Sequence, residues 1–266
     1  MSTETQQIVS MASGVVPECG PIEAIEAAYG GGFDAVGLWV EPDEWTTGTT
    51  REVRSLLETL AFPVLDVEVV WIKPGVFDSN HLKIIDIGAA VGARNVLVVS
   101  SDPDMHETAE KFFRLSEHGS ECGLRVCLEF GMFTEVKRLE QAIRILNDVK
   151  HPAAAILPDS IHLSRSGALP SDLVQLHQHY IPYAQICDAP ATWKADADVA
   201  EYIREAIDDR MQLGEGGLPL RDFVSVLPKN TPLSVELRSK TLREMYPNAV
   251  ERARQVATAT RKFLAG

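Results

Sequence analysis

Short apolar runs recur along the chain at residues 8–12, 35–40, 64–70, 95–99, 125–129, 154–159, 181–187 and 233–236. Each is bounded by Gly, Pro, Asp or Asn, the pattern of strands buried on both faces of a parallel sheet. The first seven begin 27 to 31 residues apart, roughly the length of one βα unit. Helical patterns fill the gaps. Val136, Leu139, Ile143, Leu146 and Val149 make one apolar stripe, Leu82, Ile85 and Ala89 make another, and 249–263 reads as a closing amphipathic helix. Gly32, Gly92 and Gly123 stand just ahead of strands, where an αβ turn uses a positive φ. Eight strands alternating with eight helices predict one (β/α)8 barrel, a single domain over 1–266. An open doubly wound sheet is the alternative, but Gly14-Val15-Val16-Pro17 interrupts any G-x-G-x-x-G loop after the first strand. The segment 191–223 is an insertion before the last strand.

Composition narrows the partners. The 266 residues carry 25 Lys and Arg against 38 Asp and Glu, a net charge of −13. Such a surface repels nucleic-acid backbones and anionic membranes. No apolar run approaches the roughly 18 residues of a membrane span, and residues 1–6 lack the features of a secretion signal. A cytoplasmic enzyme acting on a small molecule is therefore expected. Cys19, Cys122, Cys127 and Cys187 form no C-x-x-C pair, and Cys127 and Cys187 read as small core residues rather than ligands or nucleophiles.

In a (β/α)8 barrel the chemistry sits at the C-terminal ends of the strands. Those ends carry Glu68, Glu129, Asp159, Gln185 and Glu236, with Asp188 in the loop after Gln185. Any one of these could cap a helix or pair with an Arg. Several converging carboxylates would instead repel one another without a cation, and an oxygen-rich set suits a hard divalent ion, Mn2+ or Mg2+ with Co2+ as a third choice.

Leu128-Glu129-Phe130, Pro158-Asp159-Ser160-Ile161-His162, Ala184-Gln185-Ile186-Cys187-Asp188-Ala189-Pro190, Leu213-Gly214-Glu215-Gly216 and Ser234-Val235-Glu236 together resemble the strand-end motifs of the sugar phosphate isomerase/epimerase superfamily, the xylose-isomerase-like TIM barrels. The resemblance implies a metal held by Glu129, Asp159, Gln185 and Glu236. It also implies His162 touching a substrate oxygen, Glu129 and Glu236 doubling as acid and base, and Glu215 on the substrate side. Gln185 stands where many members carry His and, with Asp188-Ala189-Pro190, is similar to the 3-dehydroshikimate dehydratase branch. Gly37 stands where the second strand often carries Glu, with Glu41 its nearest replacement. Val70-Trp71-Ile72-Lys73 stands where the dehydratases carry a His.

The implied chemistry is proton transfer beside a carbonyl through a metal-stabilised enediolate, on a small polyhydroxylated keto substrate. Isomerisation or epimerisation is the first reading and dehydration the second; a non-catalytic binding barrel is the third. Glu68, Trp71, Lys73, Arg210 and Arg238 are the substrate-binding candidates, and each Arg could instead pair with Asp208, Asp209 or Glu244. Residues 191–209 read as a lid. His81, His106, His118, His151, His177 and His179 fall away from the mouth and read as surface residues. The superfamily also holds DNA endonucleases with His-rich zinc clusters, a reading opposed by one strand-end His and a charge of −13. Barrels of this superfamily often self-associate, so a homo-oligomer is compatible with the resemblance.

Overall fold

The eight apolar runs form eight parallel strands in the computed structural model, which describes residues 7–266. They are β1 (Val9–Met11), β2 (Ala35–Trp39), β3 (Val64–Ile72), β4 (Asn95–Ser100), β5 (Arg125–Glu129), β6 (Ala154–Leu157), β7 (Ala184–Ile186) and β8 (Leu233–Val235). They hydrogen-bond in the order β6-β5-β4-β3-β2-β1-β8-β7. Between β6 and β7 the circle is spanned by a parallel bridge of Asp159 with Gln185, whose N–H donates to the Pro158 carbonyl at 2.9 Å. The result is a nearly closed barrel whose seam is fastened by two of the expected site residues. Residues 1–6, read above for a secretion signal, lie outside the described residues.

The first five strands are each followed by one α-helix: α1 (Pro21–Gly31), α2 (Thr47–Leu60), α3 (Asn80–Ala90), α4 (Met105–Glu121) and α5 (Leu139–Val149). Their starts follow ordinary capping chemistry. The Thr46 hydroxyl accepts from the Thr49 N–H and the Asp104 carboxylate from the N–H groups of His106 and Glu107. The expected stripe in α5 shifts slightly. Its buried face is Leu139, Ala142, Ile145, Leu146 and Val149, and Val136 is buried ahead of the helix. Gln141 explains the boundary, because its Oε1 accepts from the N–H groups of Lys137 and Arg138. At the far ends of α3 and α4, Gly92 (φ 81°) and Gly123 (φ 77°) take the left-handed turn back to the sheet.

Beyond β6 the one-helix-per-strand pattern breaks. The short α6 (Ser160–Arg165) follows β6, both α7 (Val199–Asp208) and α8 (Leu220–Val226) follow β7, and α9 (Lys240–Met245) and α10 (Ala249–Ala265) follow β8. The described residues thus hold ten α-helices rather than eight, one extra after β7, where the insertion was read, and one extra after β8. None is long and apolar enough to cross a membrane.

The core has two layers. Between strands and helices lie Val36, Val67, Val98, Val126, Leu128 and Ile156 with Phe112, Leu115 and Ile145. Inside the barrel lie Leu65, Leu97, Val99, Cys127, Ala155, Leu157 and Tyr183. Burial pushes the Cys187 thiol up to about 12 and Cys127 higher still, so both are inert core residues.

Candidate metal and substrate site

The strand ends open on a cavity of about 280 Å3. Glu68 of β3, Glu129 of β5, Gln185 of β7, Glu236 after β8, His162 of α6, and Arg210 and Arg238 all line it. Asp159 stands just behind the lining and is wholly buried. One ligand atom each from Glu129, Asp159 and His162 can be chosen so that all lie within 4.8 Å of one another. Both polar atoms of the Gln185 side chain, and Glu236 Oε2, are buried without a hydrogen-bond partner. A buried amide that satisfies neither its donor nor its acceptor costs a few kcal/mol, so this group is placed for something the protein itself does not supply. A divalent cation would find Gln185 Oε1 there together with the carboxylates of Glu129, Asp159 and Glu236, an oxygen set suited to a hard ion.

The electrostatics are uneven. Burial works to raise the Asp159 carboxyl, but Arg210 and His162 outweigh it and hold the group below the usual range. Arg210 Nη1 donates to Asp159 Oδ2 at 2.6 Å, and Asp159 Oδ1 caps α6 by accepting from the Ile161 N–H at 2.9 Å. Burial, then the neighbouring Asp159 charge, raise Glu129 well above the carboxylate norm. Burial and Glu236 carry Glu68 to about 7, although the Ser13 hydroxyl donates to its Oε1 at 2.6 Å. Burial drives the His162 imidazole down to about 4, so it is neutral near pH 7.

The rest of the wall is apolar: Trp39, Trp71, Leu97, Val99 and Phe133 on the barrel side, with Ile203, Ala206 and Ile207 of α7 across from them.

Residues 25–263 match the model of the xylose isomerase-like TIM barrel family. The chain belongs to this family. It is 25% identical over 241 residues to a 3-dehydroshikimate dehydratase of Pseudomonas putida, a match that takes in 85% of this chain but only 36% of that protein's length. Among solved structures, a xylose isomerase-like TIM barrel/4-hydroxyphenylpyruvate dioxygenase fusion protein superposes with a TM-score of 0.80 at 22% identity, covering 96% of this chain and 42% of the other. The IOLI protein with a bound zinc atom gives the same TM-score, 0.80, at 18% identity over 98% of both chains. The chain therefore spans less than half the length of two of these relatives.

Within this xylose isomerase-like barrel, the expected ligands Glu129, Asp159, Gln185 and Glu236 gather at one end, with His162 among them. The substrate-binding candidates divide. Glu68, Trp71 and Arg238 line the cavity; Arg238 donates from Nε to Glu236 Oε1 at 3.1 Å and lies 5.5 Å over the Trp39 ring. Arg210 lines it too, but its partner is Asp159 rather than Asp208, Asp209 or Glu244, and its Nε donates to the Ala206 carbonyl. Lys73 is exposed, its ammonium 3.7 Å above the Trp71 ring, and is not on the wall. Glu215 is also exposed and accepts from Gln212 at 3.1 Å, outside the cavity. The reason is Asp188, whose carboxylate accepts from the N–H groups of Ala189, Gly214, Gly216 and Leu218. The loop is wrapped around Asp188, and Glu215 faces away. Glu41 does not replace a second-strand carboxylate: it is exposed and accepts from Trp39 Nε1 at 2.6 Å.

The segment read as a lid is fastened rather than free. Arg165 of α6 makes a buried bidentate pair with Glu205 of α7, 2.6 Å at its shortest, and donates to the Pro190 carbonyl. Trp193 lies beside the Arg165 guanidinium and Tyr202. Sequence reasoning missed the cavity-facing side of α7, although Ile203, Ala206 and Ile207 recur at helical spacing. It also missed Phe133, the aromatic four residues beyond Glu129, and the buried Asp66.

Proposed function

We propose that this barrel is a divalent-metal-dependent enzyme that moves a proton at the carbon beside a carbonyl, with isomerisation or epimerisation of a small hydroxylated keto compound as its net reaction. The observation that carries the reading is the buried Gln185 amide, unpartnered at both atoms among Glu129, Asp159 and Glu236. A divalent ion held there would act as a Lewis acid toward the carbonyl and so acidify the adjacent C–H.

The protein's own groups do the rest. Glu236, with Oε1 held by Arg238 and Oε2 without a partner, is assigned the removal of the proton at Oε2. Glu129, across the cavity on β5, is assigned its return. His162, neutral and wedged between Arg210 and the Phe133 ring at 5.1 Å, orients a substrate oxygen. Arg210 fixes Asp159 in place, and Arg238 is the cation available to a substrate anion. Trp71 and Phe133, in edge-to-face contact at 6.2 Å, give the reacting carbon an apolar wall.

A second reading, loss of a β-hydroxyl as in a 3-dehydroshikimate dehydratase, is favoured by the wall of Trp71, Leu97, Val99 and Phe133, which suits the flat face of a ring better than a chain of hydroxyls. One experiment addresses both. The protein is incubated with Mn2+ in D2O with a panel of ketoses and with 3-dehydroshikimate. Solvent deuterium at the α-carbon of recovered ketose supports the first reading, and a conjugated ultraviolet-absorbing product supports the second. Neither exchange nor product across the panel would count against both.

A further inference from the structure

Helices α3 and α4 lie side by side on the outside of the barrel, away from the mouth. His118 and Cys122 are four residues apart at the C-terminal end of α4, so both project from one face of the helix. Asp86 of α3 meets them. Its Oδ1 lies 2.6 Å from His118 Nε2 and 3.7 Å from Cys122 Sγ, and the sulfur is 3.8 Å from His118 Nε2. One imidazole nitrogen, one sulfur and one carboxylate oxygen thus lie within 4.8 Å of one another.

From this geometry we infer a second metal site, for Zn2+, built from Asp86, His118 and Cys122, with water in the fourth position. Tetrahedral zinc with bonds of about 2.3 Å to sulfur and 2.0–2.1 Å to nitrogen or oxygen sets ligand-to-ligand edges of roughly 3.3–3.6 Å. The two edges to sulfur are near that already. The third, the Asp86–His118 hydrogen bond, opens by roughly 1 Å or less on the same bond lengths, through rotation of the Asp86 side chain, which is 58% exposed. The other ring nitrogen of His118 lies 3.8 Å from Glu121 Oε2, longer than a hydrogen bond, and rotation of the exposed Glu121 side chain would let it orient a metal-bound imidazole.

The donor set also discriminates between ions. Thiolate and imidazole favour Zn2+ over Mg2+ or Mn2+, whereas the all-oxygen set expected at the mouth does the reverse. The arrangement is not a Cys-His-Asp nucleophile. Burial, then Asp86 and Glu121, hold the Cys122 thiol above its ordinary range, the opposite of an activated cysteine. Bound zinc would displace the thiol proton and join α3 to α4, adding a cross-link between two helices that cover β3, β4 and β5.

Co2+, a spectroscopic substitute for zinc, tests this directly. The reduced full-length chain is titrated with Co2+ and then with Zn2+. A near-ultraviolet thiolate-to-cobalt band is expected, bleached by one equivalent of Zn2+, absent from Cys122→Ser and His118→Ala, and retained in Glu129→Gln. Circular dichroism checks that each variant is folded. No band, or a band that survives Cys122→Ser or His118→Ala, overturns the site. Visible cobalt absorption with no thiolate band, lost in Glu129→Gln but kept in Cys122→Ser, assigns the metal to the mouth instead, which also overturns it.

Discussion

At the mouth of the barrel Glu68, Glu129, Asp159 and Glu236 are all buried, yet each looks onto a cavity, a cation or both; farther down the same barrel Asp66 is buried with neither. Arg210 holds Asp159, Arg238 holds Glu236, and Gln185 offers them an unpartnered amide. Asp66 has only the Tyr183 hydroxyl at 3.4 Å from Oδ2, its Oδ1 has no partner, and it fits because Gly37 leaves room: a Cβ there would come within 2.9 Å of Oδ1. Burial, reinforced by Glu68 and Glu236, raises Asp66 well above the carboxylate norm, as it does Glu129. A perturbed carboxylate is therefore not enough to mark a site. What separates the mouth from the interior is convergence of several donors around a space that a ligand can enter.

The sharpest way to break this distinction is to neutralise one carboxylate from each region. Glu129→Gln is expected to lower kcat/KM about 10²–10⁴-fold, the range for loss of a general acid–base group, with little change in melting temperature. Asp66→Asn should retain most activity. Steady-state kinetics on whichever substrate shows exchange in D2O decides the matter. An inactive but folded Asp66→Asn would erase the contrast.

The roof of the mouth gives the next effect. Arg165→Met leaves Glu205, which is 2% exposed, without the guanidinium that pairs with it. Breaking a buried pair from one side costs about 3–5 kcal/mol, to be read from urea unfolding. The double variant Arg165→Met/Glu205→Leu should recover most of it, since the stranded charge is gone. Activity is expected to stay below wild type in the double variant if α7 must be held against the cavity.

Stability against pH separates the regions more gently. The folded-state Asp66 pKa lies above its unfolded value, so the folded protein keeps a proton that the unfolded chain releases. That contribution is complete below about pH 3.9 and is lost as pH rises through the folded pKa, at up to about 1.4 kcal/mol per pH unit. In Asp66→Asn the side-chain amide has no such proton to lose. The stability of Asp66→Asn relative to wild type should therefore grow from pH 4 upward, measured by chemical denaturation at fixed ionic strength. A constant difference would mean that Asp66 is ionised in the folded state. Glu68, carried to about 7, leaves a residual slope in both proteins between pH 4 and 7.

The barrel was legible because its strands are buried on both faces, so their apolar runs stand out, and because Gly32, Gly92 and Gly123 mark the turns that return to them. The gathering of Glu129, Asp159, Gln185 and Glu236 at one mouth was legible because strand ends are where polar residues break those runs. The insertion was not. Whether α7 stands off as a lid or is pinned depends on Arg165 meeting Glu205 across 40 positions of sequence, and a single charge carries no record of its partner. Asp66 was hidden for a related reason: it lies two residues before Glu68 in the middle of β3 rather than at the strand end, and the room left at Gly37 that accommodates it is visible only in three dimensions. His118 and Cys122 were visible at helical spacing but take on meaning only beside Asp86.

Glu215 tests the other edge of the comparison, an acidic residue that motif resemblance puts at the mouth and geometry leaves outside. Glu215→Gln should change kcat/KM by less than about twofold and stability by less than about 0.5 kcal/mol, as for other exposed positions. Its neighbour supplies the contrast. A Cβ at Gly216 would fall 2.4 Å from both Asp188 Oδ1 and the Ala189 carbonyl oxygen. Gly216→Ala should therefore destabilise measurably by thermal melting and lower activity through the displaced loop. If Glu215→Gln proved the more damaging of the two, the loop would close over the substrate in use, and its acidic residue would belong to the site after all.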